Sequence, residues 1–266
     1  MAKAATATYA YCVVANATRP RPKRKVARLP GMGPVRLLDV DRGLYLAVAD
    51  APLDRYGEAA INRGLGDLDW VSRAAIAHEA VVESFIGETA VLPMKLFTIF
   101  TSDERALTHV RGERQRILAV SKRVANQHEW GVRVILDRAR AVRARTSTTK
   151  AADRSTSANT VSSGIAYLTR KKARRDDTVE LAEHARETVA ALYDRLASRS
   201  SAAKRKAAGE LPVAGGPLLL DAAFLVPRSR AKSFQSLMAS EAKSLARQGY
   251  GLTLTGPWPP YSFVQD

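Results

Sequence analysis

Apolar positions along this chain recur first with the period of two that suits strands and then with the three-to-four spacing that suits helices. Thr8 to Val14 (TYAYCVV) is aromatic and β-branched and predicts a strand. Val35–Val40 and Gly43–Ala49 predict a hairpin turning at Asp41-Arg42-Gly43, with Leu44, Leu46 and Val48 alternating with Tyr45 and Ala47. Asp67–Ile86 carries the strongest helical pattern: Leu68, Val71, Ala75, His78, Val82 and Phe85 recur at three and four, and Gly87 suits the position just past the end. Thr89–Phe100 is apolar but interrupted by Pro93, which predicts an irregular extended segment. Thr101-x-x-Glu104 has the spacing of a capping box, opening a helix that carries Leu107, Val110, Ile117, Leu118 and Val124 to about Ala125.

The second half repeats the two periods in a different order. Glu129–Leu136 is a strand, and Asp177-x-x-Glu180 starts a helix, or continues one begun as early as Ile165. Its inward face is expected to carry Val179, Ala182, Val189, Leu192 and Leu196. A weak strand near Lys204 follows, then the apolar strand Leu218–Val226 ended by Pro227. Arg230–Gln248 is a helix with Phe234, Leu237, Met238 and Leu245 inward, stopped by Gly249, and Tyr250–Thr255 is a short strand. This order is βαββαβ, the split βαβ plan of a ferredoxin-like domain. The expected fold class is therefore α+β in two domains: a mixed α+β domain over residues 1–127 and a ferredoxin-like domain over 128–266, with the boundary near Asn126–Glu129. Within the second, Thr146–Thr160 holds eight Ser/Thr and no large apolar side chain, which predicts a mobile, dispensable insertion. Residues 256–266 (GPWPPYSFVQD) form a proline-stiffened aromatic tail expected to be structurally fixed, its rings Trp258, Tyr261 and Phe263 either lying close to a partner surface or plugging the protein's own core, the plug being the favoured reading for Trp258.

Composition changes the picture in one respect. With 46% hydrophobic residues the chain can build a core, and no apolar run is long enough to span a membrane. The start of the chain lacks the pattern of a signal peptide, so a cytoplasmic protein is expected. Cys12, the one cysteine, lies in an apolar run and reads as a small buried hydrophobe. The net charge of +16 is unusual and raises nucleic acid, acidic proteins and anionic surfaces as partners. Basic clusters fall at Arg19–Arg28, Arg138–Arg145, Arg170–Arg175 and Arg199–Lys206, but they are nearly free of the aromatic residues that stack on bases. A basic nucleic-acid-binding protein is the alternative reading, with weak, non-specific binding expected.

Signals of catalysis are poor. His78-Glu79 lacks the second histidine of a zinc-protease helix, and there is no P-loop and no nucleophile elbow. One cysteine and scattered histidines offer no metal-ligand cluster. His78 reads as a hydrogen-bonded histidine on the helix stripe, and Glu79 with Glu83 as a solvated edge. The rival reading, an enzyme using His78, Glu79 and Glu83, requires a pocket that holds all three. No catalytic residue, metal or cofactor is expected.

Several segments, in order along nearly the whole chain, resemble the F/L family of gas vesicle proteins. They are Tyr9–Val14, His78–Glu83, Val91–Phe100, Glu129–Val134, Gly164–Lys171, Leu220–Val226 and Gly256–Val264 (GPWPPYSFV), the last being the most specific. There are two departures. Leu96-Phe97-Thr98 stands where Phe-Gly-Thr is expected, so a local glycine conformation is expected to be absent there, and the Ser/Thr-rich insertion is longer. The resemblance implies a gas-vesicle-associated assembly protein that binds the small hydrophobic shell protein and other accessory proteins, chaperone-like in covering an apolar face that would otherwise aggregate. Trp258, Tyr261, Phe263, His78 and Glu79 are the candidate partner-binding residues. Whether the chain is F-type or L-type, and its oligomeric state, stay open at this point.

Overall fold

A computed structural model describes residues 5–21, 26–137, 139–143, 163–206 and 216–264, with the side chains of 163–178 excepted. It divides into two compact units, Met1–Glu129 with Pro257–Asp266, and Trp130–Gly256. The expected insertion at Thr146–Thr160 lies outside the described residues. The tail groups with the first unit, whereas its place in the sequence had put it with the second.

The first unit is built on the strand β1 (Thr6–Ala15). It pairs antiparallel with β3 (Leu44–Pro52), β4 (Ala90–Pro93) and the short β5 (Ile99–Phe100), and β2 (Arg36–Asp41) adds outside β3, giving the order β2-β3-β1-β4. The β2–β3 turn falls at Asp41-Arg42-Gly43 as expected, and Gly43 takes φ 75°, which a side chain would resist. Every residue of β1 from Ala7 to Val13 is buried, with Val14. After the short helices α1 (Leu53–Tyr56) and α2 (Glu58–Gly64) comes α3 (Leu68–Glu83), and Tyr9, Tyr11 and Val14 join a core with its buried Ala74, Ala77, His78, Val81 and Val82 and with Phe85. Val13 turns to the other side, beside Val110, Ile117 and Val120. Helices cover both faces, so the strand reads as a continuous apolar run rather than an alternation.

Two expectations about these helices are corrected. The buried face of α3 is the Ala74, Ala77/His78, Val81/Val82 register, so Leu68 and Ala75 of the predicted stripe are exposed, and so is Ile76. The single helix expected to run to Ala125 is two: α4 (Asp103–Gly112) and α5 (Arg114–Val124), parted at Gly112-Glu113, where glycine weakens helical continuity. The cap of α4 is Ser102, not Thr101: its hydroxyl accepts from the Arg105 N–H at 3.2 Å. The next residue, Asp103, is held by Arg36 at 2.5 Å and by the Thr8 hydroxyl at 2.7 Å, which ties α4 to β2 and β1.

The second unit has the predicted element order. β6 (Gln127–Leu136) is followed by the helix Ser163–Ala197, β7 (Ala202–Arg205), β8 (Leu218–Pro227), the helix Ala231–Arg247 and β9 (Tyr250–Trp258). The sheet order is β7-β8-β6-β9, which sets β6 between β8 and β9, and the faint strand near Lys204 pairs antiparallel with β8. Alternate residues Trp130, Val132, Val134 and Leu136 of β6 meet Leu220, Ala222, Phe224 and Val226 of β8 in one core. The long helix contributes Ala185, Val189, Leu192 and Leu196. Val179 and Ala182, expected inward, are exposed, because the buried stripe is set by spacings of four, three and four counted from Ala185. Phe234, Met238 and Leu245 of the last helix complete the core, and Leu237 is half-buried.

Phe97 corrects another expectation. It takes φ 62°, so the left-handed conformation associated with glycine is present here on a phenylalanine. Its N–H donates to the Tyr9 hydroxyl at 3.2 Å, and its ring stacks on Trp70 with centroids 5.1 Å apart and planes 16° apart. These contacts offset a backbone cost of roughly 1–2 kcal/mol. Phe97→Gly and Phe97→Ala both remove the ring, but only glycine relieves the backbone. In urea unfolding the glycine variant is expected to be the more stable by about 1 kcal/mol, and the reverse order would show that the left-handed turn carries no strain.

Candidate functional site

The residues singled out by sequence converge on the first unit but divide into a buried network and an outer surface. His78 projects from α3 into the core and is 4% exposed. Its Nδ1 lies 2.8 Å from the Tyr9 hydroxyl, which also accepts the Phe97 N–H. The hydroxyl and Nδ1 share one hydrogen, and which of them donates follows the tautomer of the ring. Tyr9 and Tyr11 pack their rings against the imidazole. Burial lowers the His78 pKa to about 4, and the Met94 backbone opposes that only in part. Such a residue holds elements together and presents nothing to a partner. Cys12 beside it is fully buried, and burial pushes its thiol well above the ordinary range.

The tail is seated by Glu129. This carboxylate is 4% exposed and accepts from both the backbone N–H and the hydroxyl of Ser262, each at 2.7 Å. Ser262 lies in the short helical turn Tyr261–Val264, so the carboxylate satisfies an otherwise unpaired N–H at its start. Arg123 of α5 donates to the Phe263 carbonyl at 2.6 Å. Phe263 is 3% exposed and Val264 is also buried. Val264 lines a cleft of about 110 Å³ with Leu92, Met94, Val110 and Ile117. Tyr261 buries its hydroxyl facing Glu79, at the margin of hydrogen-bond geometry.

Glu79 is thus half-buried rather than on a solvated edge. Burial raises its pKa, the Tyr261 hydroxyl opposes the rise, and the neighbouring Glu83 and Glu129 add to it. Burial raises Glu83 as well. His78 and Glu79, adjacent in sequence, engage different partners: the imidazole serves Tyr9, and the carboxylate faces the tail. Among the described residues no three His, Cys, Asp or Glu side chains converge as a metal-ligand set. Glu129, Ser262 and Arg123 escaped the sequence reading, because their partners lie more than a hundred residues away and no local spacing announces them.

Trp258 is exposed, at 36%, as is Pro257 before it. The outer surface of the first unit also displays Leu65, Leu68 and Ile76, which are 53%, 81% and 69% exposed.

Comparison with known proteins defines the class, that of gas vesicle proteins. The profile of the family described as gas vesicle synthesis protein GvpL/GvpF matches residues 7–265. Gas vesicle protein L of Streptomyces sp. (strain CB03234) is 30% identical over 238 residues, covering 88% of this chain and 84% of that protein. The crystal structure of GvpF from Anabaena sp. PCC7120 superposes with a TM-score of 0.67 at 15% identity, covering 98% of this chain and 97% of that one. GvpF from Microcystis aeruginosa gives 0.65 at the same identity, with 98% and 99% covered. These two structures establish a shared α+β fold. The chain belongs to the GvpL/GvpF family of gas vesicle synthesis proteins, and its role lies in gas vesicle assembly.

Two outcomes follow from the buried groups. Ser262→Ala removes one hydrogen bond to a charged, buried acceptor and is expected to cost roughly 1.5–3 kcal/mol in urea unfolding. An unchanged midpoint would show that the Ser262 hydroxyl contributes nothing to seating the tail. For His78, the folded pKa lies below the ordinary histidine value of 6.5, so the unfolded chain binds more protons between about pH 6.5 and 4. The stability this neutral histidine confers is complete above pH 6.5 and falls as pH drops towards 4, by about 3 kcal/mol in all. The raised Glu79 and Glu83 act oppositely, since stability falls as pH rises through and above 4.5. His78→Gln keeps the carboxylates, so subtracting its pH profile from the wild-type profile isolates the histidine. Parallel profiles would show that His78 is not buried as a neutral ring.

Proposed function

We propose that this protein is a chaperone-like assembly factor that binds the hydrophobic shell protein of the gas vesicle, and other accessory proteins, and acts without catalysis. The observation that carries the reading is the exposure of large apolar side chains on the first unit, Leu65, Leu68, Ile76 and Trp258 among them, in a chain of this family. A shell subunit with a gas-facing apolar wall aggregates when released bare into water, and a partner that offers matching apolar surface delays this. Among the earlier candidates Trp258 is then the contact residue. Phe263 and His78 are buried and support the surface from beneath, and Tyr261 and Glu79 fix the tail that carries Trp258. The second unit serves as a ferredoxin-like scaffold, a reading supported by its βαββαβ order and its strand order β7-β8-β6-β9. Residues 1–129 and 130–256 are proposed as separate domains, with the tail assigned to the first. A cytoplasmic, vesicle-associated location accords with this role, and among the described residues no helix is long and apolar enough to cross a membrane.

Retention of the tagged shell protein on immobilised wild-type protein tests the proposal. Trp258→Ala, and the double variant Leu68→Ser with Ile76→Ser, are expected to keep the wild-type melting temperature and to lose most retention. Full retention by all variants would overturn the assignment of the surface, and no retention by the wild type would overturn the function. The alternative, a basic nucleic-acid-binding protein, draws on the +16 charge. A sequence-selective site much tighter than about a micromolar at physiological salt would favour it.

A further inference from the structure

The second unit holds a cleft that the assembly reading does not use. It encloses about 260 Å³ and is lined by Arg199, Arg230, Ser233, Phe234 and Leu237. Arg199 follows the end of the long helix, and Arg230 precedes the helix Ala231–Arg247, whose first two turns supply the other three residues. Both arginines are exposed, and neither guanidinium meets a carboxylate, carbonyl or ring among the described residues. Elsewhere in the same unit such groups are engaged: Arg133 pairs with Asp221 at 3.1 Å, Arg195 with Glu241 at 3.0 Å, and Arg205 lies over the Tyr193 ring at 4.3 Å. The Ser233 hydroxyl is already committed to the Arg230 carbonyl at 2.9 Å. The cleft therefore has two free cations at its rim, an apolar wall from the half-buried Leu237 and the edge of the buried Phe234, and no anion of its own.

We propose that this cleft binds an acidic peptide segment of a partner protein, a carboxylate side chain engaging Arg199 and Arg230 while an adjoining aliphatic side chain lies against Leu237. Arginine suits this task because its planar fork matches a carboxylate with two parallel N–H donors. The long-range field of a +16 chain draws an acidic partner towards it, and the cleft converts that attraction into a located contact. A nucleic acid fits less well. It needs a track of cations along a phosphate backbone and an aromatic face for stacking, whereas the one aromatic ring here is 2% exposed.

Fluorescence anisotropy of the full chain with a short labelled peptide of alternating Glu and Leu, compared with labelled oligothymidylate, tests the site. Arg199→Gln with Arg230→Gln is expected to weaken peptide binding at least about tenfold. The control Arg186→Gln with Arg247→Gln, which removes the same two charges from exposed positions of the same unit, is expected to change it by no more than about twofold. Because all four side chains are exposed, melting temperatures are expected to stay at the wild-type value, which separates lost binding from lost folding. Equal losses in both double variants would reduce the site to net charge and overturn the proposal. So would absence of peptide binding by the wild type, or tighter binding of the oligothymidylate with loss in the cleft variant. None of these outcomes bears on retention of the shell protein, which rests on the first unit.

Discussion

The Tyr9 hydroxyl is the polar group on which the first unit depends. It lies in a fully buried side chain, where an unmatched hydroxyl costs several kcal/mol, and it is matched twice: it shares a hydrogen bond with His78 Nδ1 and accepts from the Phe97 N–H. Those two bonds reach two separate elements. One fixes the rotation of α3 about its axis by pointing His78 inward, and the other fixes the loop between β4 and β5. The left-handed backbone of Phe97 follows from this, since its N–H must turn towards the sheet while its ring goes to Trp70. The exposed apolar positions of α3 follow as well. With Ala74, Ala77, His78 and Val81 committed to the core, Leu68 and Ile76 have nowhere to go but outward.

Glu129 does for the tail what Tyr9 does for the helix. A buried carboxylate is unfavourable unless its oxygens are occupied, and Ser262 occupies both. The tail is therefore located by polar bonds at Ser262 and Phe263 as well as by apolar burial at Phe263 and Val264. Trp258 ends β9, three residues before this fixed turn, on a backbone that Pro257 and Pro259 leave little freedom, and contact residues bind best when their ordering cost is met in advance.

How much was legible in the sequence depended on the distance between partners. The second unit was readable because its order rests on local periodicity: Trp130, Val132, Val134 and Leu136 alternate, and even the polar β7 was marked as a weak strand near Lys204. The β2–β3 turn was readable because Gly43 sits where a positive φ is needed. The stripe of α3 was misread at Leu68 and Ala75 because an apolar residue at helical spacing is equally consistent with a core and with a partner surface, and only the packed neighbours decide. The cap falls at Ser102 rather than Thr101, and the residue that follows it, Asp103, is held by Arg36, sixty-seven residues earlier in the chain, a tie that no local spacing marks. Of the site, the resemblance marked the GPWPPYSFV segment as special, yet nothing in it announced Glu129, and the assignment of the tail to the second domain followed from sequence order alone.

The return of the tail has a temporal consequence. The second unit is a continuous stretch inserted into a discontinuous first one, so all its contacts lie within one uninterrupted run of chain. The first unit is different: its final turn is made only after Trp130–Gly256, and until then the bonds between Ser262 and Glu129 are unmade and the seat of Phe263 stands open. Closure across so many residues is a slow step by its topology. The order of synthesis, rather than any switch within the fold, therefore sets the moment at which the tail can be seated.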